Sequence, residues 1–251
     1  MIIAQISDTH ILSKSSGLVE GTSRSENLRR CIAAINRDAV DAVIHTGDTV
    51  QQGLAEEYEH LREILYELSS PIFLVPGNRD HHATLRKYFS HLSYLPQTGD
   101  FLHYTIEDFP LRLVALDSVE DGERKGVYCQ RRVDWLNKTL SAQPDRPTLL
   151  FIHHPPFNIE PHYLGGYRRQ REAEDLTMVA SRHLQVKRLI CGHVHCLHHE
   201  MWAGTVATTM PSVAVDHRKS MDQEIGDAPL YVLHKFSEDG NFVTQPKLVT
   251  D

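Results

Sequence analysis

The sequence is poor in the features that mark a secreted scaffold, a membrane protein or a nucleic-acid binder. Its 251 residues hold four cysteines, Cys31, Cys129, Cys191 and Cys196, with no CxxC pair among them. That excludes a disulfide framework or a Cys-rich zinc module, and buried free thiols in a reducing compartment are expected. No apolar run approaches the roughly 20 residues of a membrane span. The segment 1–8 has neither a basic stretch nor a long apolar core, so it reads as a strand that begins with the chain. A cytoplasmic setting with no membrane partner follows as the expectation. A basic balance is lacking too: 26 Lys and Arg against 33 Asp and Glu give a net charge of −7, which argues against a nucleic-acid polymer as partner. A small anion is still admissible, because bound cations invert the local field. Internal repeats and low-complexity segments are missing, and the length suits a single domain spanning 1–251.

Histidine, by contrast, is abundant, with 17 residues. Its positions make sense once the apolar pattern is read. Ile2–Ile6 and Asp41–His45 are strand-like runs, and Pro71–Val75 is a third. Between them, Ser23 and Glu26 form a capping-box pair ahead of a helical face with Leu28, Cys31, Ile32 and Ile35. Leu54, Tyr58, Leu61, Ile64, Leu65 and Leu68 recur at helical spacing, predicting a helix over 54–68. Further strands are expected at Phe101–Glu107, Leu111–Leu116, Thr148–Ile152 and Arg188–Cys191, and further helices at Gln130–Leu140 and Glu172–His183. The tail is β-rich, in Met201–Pro211, Leu230–Phe236 and Phe242–Leu248. Repeated strand–loop–helix order predicts an α/β protein with its polar residues gathered at the carboxyl ends of the strands. The stretch 158–171, with Gly165, Gly166 and three arginines, reads as a surface loop beside that edge.

Five short pieces follow these strands: Asp8-Thr9-His10, Gly47-Asp48, Gly77-Asn78, His153-His154-Pro155-Pro156 and Gly192-His193-Val194-His195. Each supplies oxygen or imidazole nitrogen, the donors that hard-to-borderline divalent ions take. Extended backbone would place Asp8 with His10, and His193 with His195, on common faces. Asp48 could bridge two ions. Strand alternation admits only one of His153 and His154 to the site. Singly, each piece has a bland reading as a turn, a cap or a solvated histidine; as an ordered set at strand ends they do not.

This set resembles the calcineurin-like metallophosphoesterase superfamily, and within it the bacterial class III cyclic-nucleotide phosphodiesterases and their glycerophosphodiesterase relatives. The resemblance runs from the first strand to about residue 215. It implies a four-layer αββα sandwich of two mixed β-sheets flanked by helices, with the segment from about residue 200 completing the second sheet. It implies two divalent ions (Mn, Fe, Zn or Co): Asp8, His10 and His195 on one, Asn78, His153 and His193 on the other, and Asp48 between them. Asp48, Asn78 and Arg79 would be catalytic. Asn78, Arg79 and His154 would stand on the substrate side, His154 otherwise supporting its neighbours. The implied reaction is hydrolysis of a small phosphodiester, with a cyclic nucleotide foremost and a glycerophosphodiester or 2′,3′-cyclic nucleotide next, by in-line attack of a hydroxide held by the ions. A homo-dimer or larger homo-oligomer would be in keeping with relatives.

The pattern breaks twice. Where relatives read Gly-Asn-His-Asp, this chain has Gly77-Asn78-Arg79-Asp80. A guanidinium cannot release a proton to a leaving group but can clamp a phosphate oxygen. Pro211-Ser212-Val213-Ala214-Val215 stands where relatives have a polar, His-containing stretch. His81, His82 and His217 are candidate substitute acids, each otherwise read as an ordinary surface histidine.

Overall fold

In the computed structural model, residues 1–16, 19–161, 163–218, 228–237 and 239–250 are described. Three parallel strands, β1 (Ile2–Ile6), β2 (Ala42–His45) and β3 (Ile72–Leu74), carry the first three donor pieces at their carboxyl ends. The helices α1 (Val19–Asp38) and α2 (Ala55–Leu65) connect them, and α3 (His82–Tyr88) follows β3. A second group of strands follows: β4 (Tyr104–Ile106), β5 (Arg112–Leu116), β6 (Thr148–Ile152), β7 (Val186–Cys191), β8 (His198–Trp202) and β9 (Thr205–Thr209). It includes the helices α4 (Gln130–Ser141) and α5 (Gln170–Ser181). The chain ends with β10 (Leu230–Phe236) and β11 (Phe242–Leu248). The sheet orders are β11-β10-β1-β2-β3 and β4-β5-β6-β7-β9-β8.

The alternation along β5, β6 and β7 sets the layers. Leu113, Ala115, Leu149, Phe151 and Ile190 join the core shared with the first sheet, α1 and α2. Val114, Leu116, Leu150, Ile152, Leu189 and Cys191 pack instead with residues of α4 and α5, among them Val133, Leu136, Leu176 and Val179. Strands buried on both faces read as unbroken apolar runs, which is why they stood out in the sequence. The two sheets are also tied by one buried polar residue. Gln5 on β1 donates from Nε2 to the Cys191 carbonyl on β7 and to Thr46 Oγ1, each at 3.0 Å, while His234 Nε2 donates to its Oε1 at 2.9 Å.

The two mixed sheets and their flanking helices match the expected sandwich, with corrections. Of the tail, only β8 and β9 complete the second sheet; β10 pairs antiparallel with β1 in the first and β11 with β10. The open edge of β1 would otherwise expose its backbone groups, and the strongly buried Leu230–Phe236 run covers it. Helix α1 begins at Val19, so Ser23 lies inside it and is no cap. Helix α3 was not expected at all, since seven residues give too short a periodicity to see.

Phe151, fully buried between the sheets, is the natural probe of this interface. Phe151→Ala should lower unfolding free energy by about 3–5 kcal/mol in urea titrations, without changing the order of strands.

Candidate metal centre

The donor pieces converge where the carboxyl ends of the two sheets meet, but not by the strand alternation expected from spacing. Asp8, His10, Asp48, His193 and His195 all have left-handed backbone, with φ of 53°, 45°, 49°, 72° and 57°. Among the described residues only two other non-glycine residues do so, Ala39 and Ala203. A left-handed conformation costs an ordinary residue about 1 kcal/mol or more and persists only where its surroundings enforce it. Here it turns paired side chains inward from tight loops rather than from extended chain.

Two glycines allow this crowding. A β-carbon on Gly77 would lie 2.0 Å from the Asp48 nitrogen and 2.3 Å from its Oδ1; one on Gly192 would lie 2.2 Å from Ser7 Oγ. Ser7 Oγ in turn donates to Asp8 Oδ2 at 2.5 Å, and the His193 amide approaches the same carboxylate at 3.1–3.2 Å.

On one side, Asp8, His10, Asp48 and His195 bring ligand atoms within 4.8 Å of one another. His195 Nε2 lies 3.1 Å from Asp8 Oδ1 and 3.3 Å from His10 Nε2, and His10 Nε2 lies 3.8 Å from Asp48 Oδ2. On the other side, His153 Nε2 lies 3.2 Å from both Asn78 Oδ1 and His193 Nδ1, and 3.5 Å from Asp48 Oδ1. Asp48 thus turns one oxygen to each side, with Oδ1 also held by the Arg79 amide at 2.7 Å.

Tautomers decide what this geometry means. His195 Nδ1 donates to the His217 carbonyl and His153 Nδ1 to the Thr46 carbonyl, both at 2.8 Å. In the neutral rings both Nε2 atoms are therefore lone pairs, and they face carboxylate and amide oxygens. Acceptors packed this closely without protons repel, unless a cation lies among them. Burial lowers the pKa of His10, His153 and His193, favouring the neutral ring that a metal takes. Burial, with the charges of Asp8 and Asp80, pushes Asp48 well above the usual carboxylate value. Asp8 is held below it: burial opposes ionisation, but His195 and the neighbouring imidazoles outweigh it. His10 Nδ1 is buried without a hydrogen-bond partner. The donor set fits two cations.

All seven anticipated donors are brought together. His154 is different: it is fully buried, its Nδ1 lies 2.9 Å from Ser118 Oγ and its Nε2 3.2 Å from the Arg124 carbonyl. Both nitrogens are engaged, so it supports the loop rather than facing a substrate. Arg79 is half-buried, and its guanidinium has no hydrogen bond or ion pair among the described residues. The 211–215 stretch braces the Asp8 loop: Ser212 Oγ donates to the Asp8 carbonyl at 2.6 Å and the Val213 amide to the Ser7 carbonyl at 3.1 Å. The 158–171 loop is only partly superficial, with Tyr163 buried and its ring 5.4 Å from that of His193.

Other supporting residues escaped the sequence reading. His45 Nε2 lies 3.0 Å from Thr9 Oγ1, and its Nδ1 accepts the Gly47 amide. Asp80 takes the amides of Gly77 and Thr49 and the hydroxyls of Thr49 and Tyr58, locking the Asp48 and Asn78 loops together. His81 is half-exposed, as expected. His82 is no surface histidine: it is buried, with Nε2 2.8 Å from Asp117 Oδ2 and Nδ1 on Asp121. His217 is half-buried and stacked on His10.

A sequence model of calcineurin-like phosphoesterases matches residues 1–197. A protein of Arcobacter nitrofigilis named as a probable glycerophosphodiester phosphodiesterase is 34% identical, over 99% of this chain and 93% of its own. The 3′,5′-cyclic adenosine monophosphate phosphodiesterase of Escherichia coli is 26% identical, over 99% of this chain and 90% of its own. A dimetal phosphatase from Danio rerio shares the fold, with a TM-score of 0.76 and 16% identity, over all of this chain and 97% of its own.

The His82 cluster makes stability depend on alkaline pH. Burial would lower this imidazole, but its bonds to Asp117 and Asp121 raise it from 6.5 to about 10. The raised value means a stabilisation complete below 6.5 and lost as pH climbs through about 10. Urea unfolding from pH 6 to 10 should therefore show a steeper loss in the wild type than in His82→Gln.

Proposed function

The chain belongs to the calcineurin-like phosphoesterase family and is a metal-dependent phosphoric diester hydrolase, and on that footing we propose that it works with two divalent ions on small diesters. The single observation carrying the two-ion reading is the division of acceptors about Asp48, one carboxylate oxygen toward each set. Asp8, His10, Asp48 and His195 would hold one ion, and Asp48, Asn78, His153 and His193 the other. Manganese, iron, cobalt and zinc all suit these ligands, and affinity order alone does not select among them. When bound, the ions supply positive charge for the diester and acidify a water toward neutral pH. Two ions at +4 against two aspartates at −2 leave +2, suited to a phosphodiester monoanion. The 1–251 span would act as one such domain, in the cytoplasm, as its free thiols suggest.

The chain's own groups would orient the substrate. Arg79 follows the ligand Asn78 and has an uncommitted, half-buried guanidinium, so it would grip a non-reacting phosphate oxygen. It cannot protonate the departing alcohol, so that proton comes from elsewhere. Glycerophosphodiesters rank first among substrates, since the relatives of highest identity named above and below carry that activity in their names. One is the Arcobacter protein; another, from Enterobacter lignolyticus, is 33% identical over 84% of this chain and 77% of its own. Cyclic nucleotides form the second reading, supported by the Escherichia coli relative.

Metal-loaded protein should hydrolyse bis(p-nitrophenyl) phosphate and lose that activity on chelation. Glycerophosphocholine, 2′,3′-cAMP and 3′,5′-cAMP assayed in parallel should show the first turned over best; a clear preference for either nucleotide would reverse the ranking. Asp48→Ala should remove both ions by elemental analysis and lower kcat/KM more than about a thousandfold. Arg79→Ala should chiefly raise KM, roughly tenfold for the loss of one charged hydrogen bond. A fall in kcat at unchanged KM would contradict the clamp.

A further inference from the structure

Arg24, near the start of α1, is 7% exposed, and its guanidinium is shared among four places in the chain. Nε donates to both oxygens of Asp216 at 3.1 Å. Nη1 donates to the His10 carbonyl and to Gln51 Oε1, each at 3.1 Å. Nη2 donates to Asp216 Oδ2 and, at 2.7 Å, to His217 Nε2. A guanidinium only donates, so His217 Nε2 must be an acceptor.

Two of these partners lie one step from the proposed ligands. The His10 ring lies nearly flat on that of His217, with centroids 4.4 Å apart and planes at 13°. The His217 carbonyl accepts the Nδ1 hydrogen of His195 at 2.8 Å, fixing the tautomer that turns Nε2 inward. Arg24 therefore reaches His10 through its backbone, and both His10 and His195 through His217. Among the described residues, none of its hydrogen bonds reaches Asn78, His153 or His193. Its charge is matched by Asp216, so its place beside a cation site is not one of net repulsion. Helix α1 has its own apolar anchorage through Leu28, Cys31, Ile32 and Ile35, independent of this clamp.

We propose that Arg24 is a positioning residue for one half of the centre: with Asp216 and His217 it sets His10 and His195 around the first ion and leaves the second ion's ligands alone. The inference rests on the two-ion reading above. Partners that orient metal-binding imidazoles typically contribute 10–100-fold in affinity.

The test is titration of metal-free, full-length wild type, Arg24→Gln, Arg24→Lys and His217→Ala with Mn²⁺ by calorimetry. Co²⁺ absorption and thermal unfolding of the metal-free proteins accompany it. Arg24→Gln should weaken one of two binding events about 10–100-fold and leave the other within about threefold. Arg24→Lys should not rescue it, because an ammonium lacks the forked donors. His217→Ala keeps the carbonyl and loses the ring, and should show a smaller loss in the same event; it decides the matter if the Arg24 variants do not fold. Equal weakening of both events, in step with a lower melting temperature of the metal-free protein, would reduce Arg24 to a fold-stabilising residue and overturn the proposal. Two unchanged affinities would overturn it as well. A wild type that binds no ion would overturn the two-ion reading itself, and this inference with it.

Discussion

The constraint behind the whole arrangement is a repulsion. Two buried carboxylates lie against an amide oxygen and imidazole lone pairs that are buried or partly buried, with few protons available to separate them. Leaving buried charge in such a cluster uncompensated costs several kcal/mol. The loops around it are shaped by that cluster. Left-handed turns bring five of the side chains in, glycines 77 and 192 clear the space, and the carbonyls of Thr46 and His217 dictate which nitrogen of each ring faces inward. Fold and chemistry meet in those carbonyls: Thr46 directly follows β2, and His217 closes a short 3-10 turn clamped by Arg24.

The strands and the donor residues could be read from the sequence for one reason. Strands buried on both faces are written as apolar runs, and the chemistry sits directly after them. His153 follows Thr148–Ile152 and Gly192 follows Val186–Cys191, with no gap for ambiguity. What could not be read is whatever depends on a partner far along the chain. Period-two spacing suggested that Asp8 and His10 share a strand face, whereas they sit in a turn whose conformation is enforced from elsewhere. The Asp8 carbonyl, for instance, is held by Ser212, 204 residues away. His82 read as solvated because its partners, Asp117 and Asp121, lie 35 and 39 residues on. Arg24 passed unnoticed among ordinary helix charges for the same reason.

The two departures from the family pattern now separate. Residues 211–214 are buried behind Asp8, and Ser212 braces its loop. Arg79 stands at the edge of the cluster, where a change of side chain alters what the site presents to a ligand.

Gln5 has a consequence of a different kind. It crosses from the first sheet to the Cys191 carbonyl of the second, directly beneath Gly192. Each proposed ion would likewise take ligands from both sheets: Asp8, His10 and Asp48 with His195, or Asp48 and Asn78 with His153 and His193. The seam between the halves is then fastened at its floor by an amide and at its rim by exchangeable ions. Any ion that binds the closed seam more tightly than the opened one would hold it shut by mass action, coupling metal supply to the cohesion of the two sheets.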